Sequence, residues 1–360
     1  MARDEHAEAT PSPAASGHRR RARITDVATL AGVSIKTVSR VVNDEPGVLP
    51  DTRERVISAV RELAFVPDAG ARLLKKGDHD AIGIVLDAIS DPFFASLVSV
   101  LEELALEQGL SVLFASTGYD GAREREQVAR LAGHRLRGLV VAPVAMSTPE
   151  FEALRRRVPV VCVDRAREGI DSVVVDDFGA ALEATRSFLA RGHRRIGFIG
   201  DIDRYPTVAT RLAGFRAALD EAGIAWDDSL VLDDEGTREN AEAVTRAFLE
   251  RADAPTAVFC ATSRSAIAAV RVIRDAGLET PALISFGDFE LASALTPGIT
   301  CVDHDPKLIG AATFHRLMEL TADHHAEAQR IVVPTRLVPR GSGELPPRAP
   351  ASATLTGASS

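Results

Sequence analysis

The sequence predicts an α/β chain in which a small all-α head is joined by a hinge to a two-lobed body built on two doubly wound parallel sheets. Three observations predict it. Residues 24 to 64 carry apolar positions at helical spacing with no strand-like run. Residues 68 to 80 form a short polar connector ending in Lys75-Lys76-Gly77-Asp78. From residue 81 short apolar runs alternate with amphipathic stretches, and the series starts twice.

A chain of 360 residues is too long for one compact domain. Apolar residues make up 46% and charged residues 26%, a globular balance. No apolar run approaches the roughly 18 residues that span a bilayer. The first residues lack the apolar centre of a secretory signal, so a soluble, cytoplasmic protein without a membrane partner is expected. Cys162, Cys260 and Cys301 are scattered and suggest neither a metal site nor a disulfide framework. No cofactor is expected. The net charge of −9 divides unevenly: residues 18 to 77 hold 12 Lys and Arg against 7 Asp and Glu, which is +5 and leaves −14 for the rest. Such asymmetry suits a module that approaches phosphates, although a run like Arg19-Arg20-Arg21 also reads as a solvated arm. Residues 1–22 and 341–360, rich in Ala, Pro, Ser and Gly, are expected to be a disordered basic arm and a disordered tail.

In the body, Ile82 to Leu86, Ser111 to Ala115 and Gly138 to Ala142 read as strands, with helices from Phe94 to Gln108 and Arg123 to Leu131. Arg195-Ile196-Gly197-Phe198-Ile199-Gly200 opens the second series. Its helices are expected at Arg211 to Ala222, Arg238 to Arg251 and Ser263 to Ala276, and its strands at Ser229 to Leu232 and Ala257 to Cys260. One lobe is expected to hold residues 80–163 plus about 300–322, the other 164–299 plus about 323–340. A ligand would lie between them, outside the carboxyl ends of the strands.

In the head, Ile24 to Asn43 has two short helices around a tight turn. Val27, Ala28, Leu30, Ala31, Val38 and Val41 supply the apolar faces, Gly32 permits the turn, and Ser34 is placed to cap the second helix. This is helix-turn-helix architecture, expected over residues 23–66. It sends the N-terminal residues of the second helix, Ser34, Ile35, Lys36 and Thr37, toward base edges, with Ser39 and Arg40 one turn on and Asn43 closing the segment. Arg40 can grip a guanine bidentately.

The run Asp26-Val27-Ala28-Thr29-Leu30-Ala31-Gly32-Val33-Ser34, continued by Thr37-Val38-Ser39-Arg40-Val41 and Asn43, closely resembles the head of the LacI/GalR (lactose/galactose repressor) family. The resemblance runs on through Phe65-Val66-Pro67-Asp68 and Ala71-Arg72-Leu73-Leu74-Lys75, making residues 67–79 the hinge. It implies that Ala71, Leu74 and Lys75 meet DNA, with Leu74 wedged into the minor groove at a cost of about a few kcal/mol of unstacking. By residue type alone Leu74 also reads as a linker residue packing on the body. Asp68 replaces the usual Asn, Gly70 stands where Ala or Val is usual and costs ~1 kcal/mol of helix propensity, and Leu49 occupies a usual capping position, leaving Pro50 to set the third helix.

In the body the resemblance rests on Asp91-Pro92-Phe93-Phe94, Val163-Asp164-Arg165, Gly192-His193-Arg194-Arg195-Ile196, Arg211-Leu212-Ala213-Gly214-Phe215 and Phe286-Gly287-Asp288. It implies a body like a periplasmic sugar-binding protein. Arg211 is implied to reach into the cleft and bind sugar hydroxyls or a carboxylate, although alone it reads as a surface arginine at a helix start. Phe93 and Phe94 are implied to wall the cleft, with core packing the alternative for Phe94. Gly287 stands where the family has an effector-binding aspartate, and Asp288 and Asp176 are the candidates to replace it. Asp234-Glu235-Gly236 and Thr262-Ser263 also depart from the pattern. The resemblance implies a sequence-specific regulator, a repressor, that binds a palindromic double-stranded DNA operator as a homodimer under control of a small-molecule effector, a sugar or sugar derivative. The alternative is a solute-binding protein with no transcriptional role. An enzyme is not expected: G-x-G-x-x-G, P-loop and G-x-S-x-G motifs are absent, and His193 reads as a turn residue.

Overall fold

The computed structural model describes residues 22–42, 45–65, 81–234, 238–275, 277, 280–323 and 326–347. The chain divides into two compact units, residues 1–78 and 79–360.

Among its described residues the first unit holds three helices, α1 (Ile24–Ala31), α2 (Ile35–Val42) and α3 (Pro50–Glu62). Asp26 anchors the start of α1 by accepting from the Arg23 amide at 2.8 Å. Gly32 ends α1 at φ 65°, left-handed backbone that a side chain disfavours, and the Val33 amide then donates back to the Ala28 carbonyl at 3.0 Å. Ser34 caps α2, its Oγ accepting from the Thr37 amide at 3.1 Å. Val27, Ala28, Ala31, Val38 and Val41 close on Val56 and Ala59 of α3. Leu30, expected in that face, is instead 46% exposed. Ser34→Ala is expected to cost about 1 kcal/mol, read as a lower midpoint of unfolding of the head.

The second unit contains two six-stranded sheets. The first has the order β11-β5-β4-β3-β1-β2, all parallel, from β1 (Ala81–Leu86), β2 (Ser111–Ser116), β3 (Gly138–Val141), β4 (Val160–Val163), β5 (Ser172–Val175) and β11 (Arg330–Val333). Alternation of side chains sends Ile82, Ile84 and Leu86 to one face and Val85 to the other, each into a separate apolar core. The first face is covered by α4 (Pro92–Glu107) and α11 (Pro306–Ala322), the second by α5 (Gly121–Ala132) and α6 (Thr148–Arg155). Gly138 lets α11 come close: a Cβ there would stand 2.6 Å from the Leu317 side chain.

The second sheet has the order β12-β10-β9-β8-β6-β7, from β6 (Ile196–Ile199), β7 (Val231–Leu232), β8 (Ala257–Cys260), β9 (Ala282–Phe286), β10 (Thr300–Asp303) and β12 (Arg336–Val338), which alone runs antiparallel. It is sandwiched between α7 (Asp177–Ala190) with α8 (Pro206–Glu221) and α9 (Arg238–Leu249) with α10 (Ser263–Asp275).

The sheets divide the chain differently from the expectation. β5, a fully buried Ser-Val-Val-Val run without alternation, adds to the first sheet, so the chain crosses over after Val175 rather than at residue 163. β10 belongs to the second sheet and β11 to the first, because β10 pairs with β9 and β11 with β5. The lobes are thus joined by three crossings, at 175–177, 303–306 and 333–336. Arg316 of α11 ties the segment that leads into β11 to the start of β5. Its Nε reaches Asp171 at 2.7 Å with both side chains buried, while its Nη2 donates to the Glu327 carbonyl.

The expected disordered tail begins too early. The buried Ser342 hydroxyl donates to the Leu283 carbonyl at 2.6 Å, and the Leu345 carbonyl lies 2.9 Å from His193 Nε2. With Nδ1 held by Thr256 at 2.9 Å, His193 pins this segment to the second lobe. Residues 1–21 of the expected arm, the whole expected hinge 67–79 and residues 348–360 lie outside the described residues. No helix among the described residues is long and apolar enough to cross a membrane.

Candidate functional site

The start of α2 presents Ser34, Ile35 and Lys36 to solvent, with Thr37 half-buried. Ile35 is 48% exposed, an apolar side chain held out beside a cation. Arg40, one turn on, is exposed and only loosely paired, its Nε 3.9 Å from Glu45. Ser39 departs from the expectation: it is 9% exposed and faces the interior of the head, because it follows Val38 onto the packed side of the helix. Asn43, Ala71, Leu74 and Lys75 lie outside the described residues.

The body holds a cleft between its two lobes, at the carboxyl ends of the strands. On the first lobe it is lined by Asp91, Phe93, Phe94, Tyr119, Asp164 and Arg165. Asp91 opens α4 by accepting from the Phe93 amide at 2.9 Å, which turns both phenylalanines toward the cleft. Phe94 is only 3% exposed, so the ring that lines the cavity also packs in the core. Arg165 is buried and holds Asp87 through both terminal nitrogens, donates to the Pro143 carbonyl at 2.8 Å, and meets Asp164 at 3.0 Å. Burial pushes the Asp87 carboxyl up to about 6 against the pull of Arg165.

On the second lobe Arg211, in the second turn of α8, is turned inward rather than to the surface. Its Nε binds Asp177 at 2.7 Å, its Nη1 donates to the Ala261 carbonyl at 2.7 Å, and its guanidinium lies 3.6 Å from the centre of the Phe286 ring. That leaves Nη2 for a ligand. Burial pushes the Asp177 carboxyl up to about 6, with Arg211 pulling it back. Thr262, Ser263, Arg264 and His304 complete this wall.

The two walls meet. Tyr119 and Tyr205 stack edge to face with centroids 4.2 Å apart, Arg204 lies 5.3 Å over the Tyr119 ring, and its Nη2 donates to the Gly118 carbonyl at 3.3 Å. The space between the walls is about 50 Å³, room for a few waters, and is open to solvent on one side.

Two expected acceptors are not in the cleft. Asp176 is exposed, accepts from the Gly179 amide at 2.9 Å as the cap of α7, and faces a separate groove. Its neighbour Asp177 is buried instead and takes Arg211 as its partner. Asp288 forks with Arg340 at 2.7 and 2.5 Å, which holds its carboxyl below the usual range, and it does not line the cavity. The residues not foreseen are Asp91, Tyr119, Tyr205, Arg264 and His304, and Asp164 and Arg165 as more than landmarks. One signal was available: the chain has two tyrosines, and both stand at the closure.

A helix-turn-helix head and a two-lobed body with a cleft at its strand ends define a DNA-binding transcriptional regulator controlled by a small molecule. The comparisons identify the group. Residues 23–68 match the model of bacterial regulatory proteins of the lacI family, and residues 79–340 that of the periplasmic binding proteins and sugar binding domain of the LacI family. The chain belongs to the LacI family. It is 32% identical over 328 residues to the transcriptional regulator DegA of Bacillus subtilis, covering 89% of this chain and 97% of DegA. It is 33% identical over 287 residues to GalR of Escherichia coli, covering 78% and 84%. Among solved structures it is similar to the lac repressor dimer bound to operator and the anti-inducer ONPF, with a TM-score of 0.73, 25% identity and coverage of 90% and 99%. A complex of the regulator CelR with cellobiose has a TM-score of 0.65, 29% identity and coverage of 90% and 100%.

Proposed function

We propose that this regulator is a cytoplasmic repressor without catalytic activity, binds a palindromic operator as a homodimer, and changes its grip on DNA when a sugar or sugar derivative occupies the cleft. The observation that carries the effector half is Arg211, buried, held by two partners and left with one donor facing the cavity. The lac repressor structure is that of a dimer on its operator and the CelR structure holds cellobiose, and both support the reading.

In the head, Ile35, Lys36, Thr37 and Arg40 are the proposed readers: Arg40 for a guanine edge, Ile35 for a thymine methyl and Lys36 for phosphate. Ser34 contributes by fixing the first turn of α2, and Ser39 by packing. Asn43, Ala71, Leu74 and Lys75 are proposed to add DNA contacts, the last three from a hinge over residues 67–79. Two copies are needed because one helix-turn-helix reads one half-site. Recovery of bound genomic fragments, followed by release of the recovered site with a sugar panel, tests the whole reading. On that site Arg40→Ala is expected to cost about 1–3 kcal/mol and relax one base preference in each half-site. Unchanged affinity would remove Arg40 from the reading face.

A further inference from the structure

We propose that Arg204, Tyr119 and Tyr205 form a latch across the mouth of the cleft, that the effector binds as the latch opens, and that Arg204 thereby sets effector affinity without touching the effector. The proposal rests on the cleft being the effector site. It starts from a mismatch of size. The space between the lobes is about 50 Å³, whereas sites for small molecules run to roughly 300 Å³ or more. A sugar ring is held between both walls only if they part. What ties the lobes together then decides how readily they do so.

The latch is built from both lobes. Tyr119 follows β2 of the first lobe and stands at φ 63°, a left-handed backbone that bulky side chains rarely adopt. Gly118 before it is at φ 60°, and the Tyr119 amide donates to Thr117 Oγ1 at 3.2 Å. This strained corner aims the ring at the second lobe. There it meets Tyr205, at the start of α8, edge to face with centroids 4.2 Å apart. Two guanidinium groups also lie on it, Arg165 from its own lobe at 5.8 Å and Arg204 from the other at 5.3 Å. Arg204 adds a bond between the lobes, its Nη2 donating to the Gly118 carbonyl at 3.3 Å.

Arg204 is exposed and has somewhere else to go. Asp201, Asp203 and Asp233 line the groove beside it on its own lobe, yet its guanidinium lies over Tyr119. When the lobes part, those carboxylates offer it a second resting place, which gives the side chain two discrete positions. Arg204 does not line the cavity. Its removal therefore takes no contact from the effector and acts through the balance between closed and parted lobes. A ligand that needs a minor state binds with an affinity reduced by the population of that state. Weakening the latch then tightens effector binding, the opposite of what the loss of a ligand contact does. The same shift imitates the effector at the operator. Without any sugar, Arg204→Ala moves operator affinity in the direction in which the effector moves it.

The test has an arm without effector and an arm with it, both on the full chain. The chain has two tyrosines, so incorporated fluorotyrosine gives fluorine NMR lines that all report on the latch, assigned by Tyr119→Phe and Tyr205→Phe. Without sugar, Tyr119→Leu, checked for folding by its melting curve, is expected to move the Tyr205 line, because rings that touch shift each other's resonance. A Tyr205 line indifferent to that replacement means that the lobes stand apart in solution and overturns the proposal. Calorimetry with galactose, glucose, ribose and cellobiose follows. The natural protein is expected to bind at least one of them, and Arg204→Ala to bind the same sugar about three- to tenfold tighter. Gel shift on the recovered operator is expected to show the sugar-free variant displaced toward the natural protein with that sugar. Equal or weaker sugar binding by Arg204→Ala, an operator affinity unmoved or moved the other way, or binding of none of the four sugars overturns the proposal. A sugar whose binding Arg211→Ala abolishes and Arg204→Ala leaves unchanged keeps the cleft reading and removes the latch. A sugar that Arg211→Ala binds as well as the natural protein removes the cleft reading itself.

Discussion

Arg211→Ala is expected to abolish the response to effector while leaving the head able to bind operator. The guanidinium is a buried charge of the second lobe with a donor to spare, and its loss removes a charge-assisted contact of about 1.5–3 kcal/mol, roughly 10- to 150-fold in affinity. A second effect adds to this: Asp177 is left without the partner that offsets its burial. Arg211→Lys separates the two, since it keeps the charge but loses the planar fork and the stack on Phe286. Effector affinity by calorimetry and operator affinity by gel shift, measured on the same samples, decide the matter. Equal effector affinity in natural and Arg211→Ala protein contradicts the assignment.

Arg165→Ala is expected to destabilise the body by about 3–5 kcal/mol, because it strands Asp87, whose side chain is fully buried, without a counter-charge. The loss should appear as a lower denaturant midpoint at constant slope. The double replacement of Arg165 and Asp87 by apolar residues of similar size should recover most of it, since the cost lies in the unpaired charge and not in the missing bond. Arg165 also lies 5.8 Å from the Tyr119 ring, so the single variant should loosen the contact between the tyrosines. A loss under about 1 kcal/mol would mean that Asp87 is protonated, not paired.

The head was legible because its signals are local: a glycine at the turn, a serine at the cap and apolar residues at helical spacing. The two βα series were legible for the same reason. Assignment of strands to sheets was not, because β5 and β11 are four-residue runs whose membership is decided by which neighbour they pair with, far away in sequence. The cleft was legible where one motif carried it, as at Arg211, Phe93 and Phe94. It failed by one residue at two places. Asp288 follows Gly287 and Asp176 precedes Asp177, and consecutive side chains in extended or strand-end backbone point opposite ways. Asp288 thereby meets Arg340 and Asp176 faces solvent, while Asp177 is buried against Arg211 and Gly287 against His304. His304, Tyr119 and Tyr205 carried no local pattern, since what they touch is set by the crossings between lobes.

Those three crossings have a consequence for how the protein is made. Neither lobe is a continuous stretch of chain. The first sheet and its covering helix α4 leave the ribosome early, but α11 and β11 follow only after nearly all of the second lobe. At about 5–20 residues per second, a nascent first lobe waits roughly ten seconds or more with the apolar face that α11 will cover still open. The second lobe, lacking only β12 and the Ser342 segment, is nearly complete by then. A chain cut short before residue 330 therefore leaves both sheets with an unfinished edge, and a stop codon there should yield material for the proteases of the cell in place of a weakened regulator.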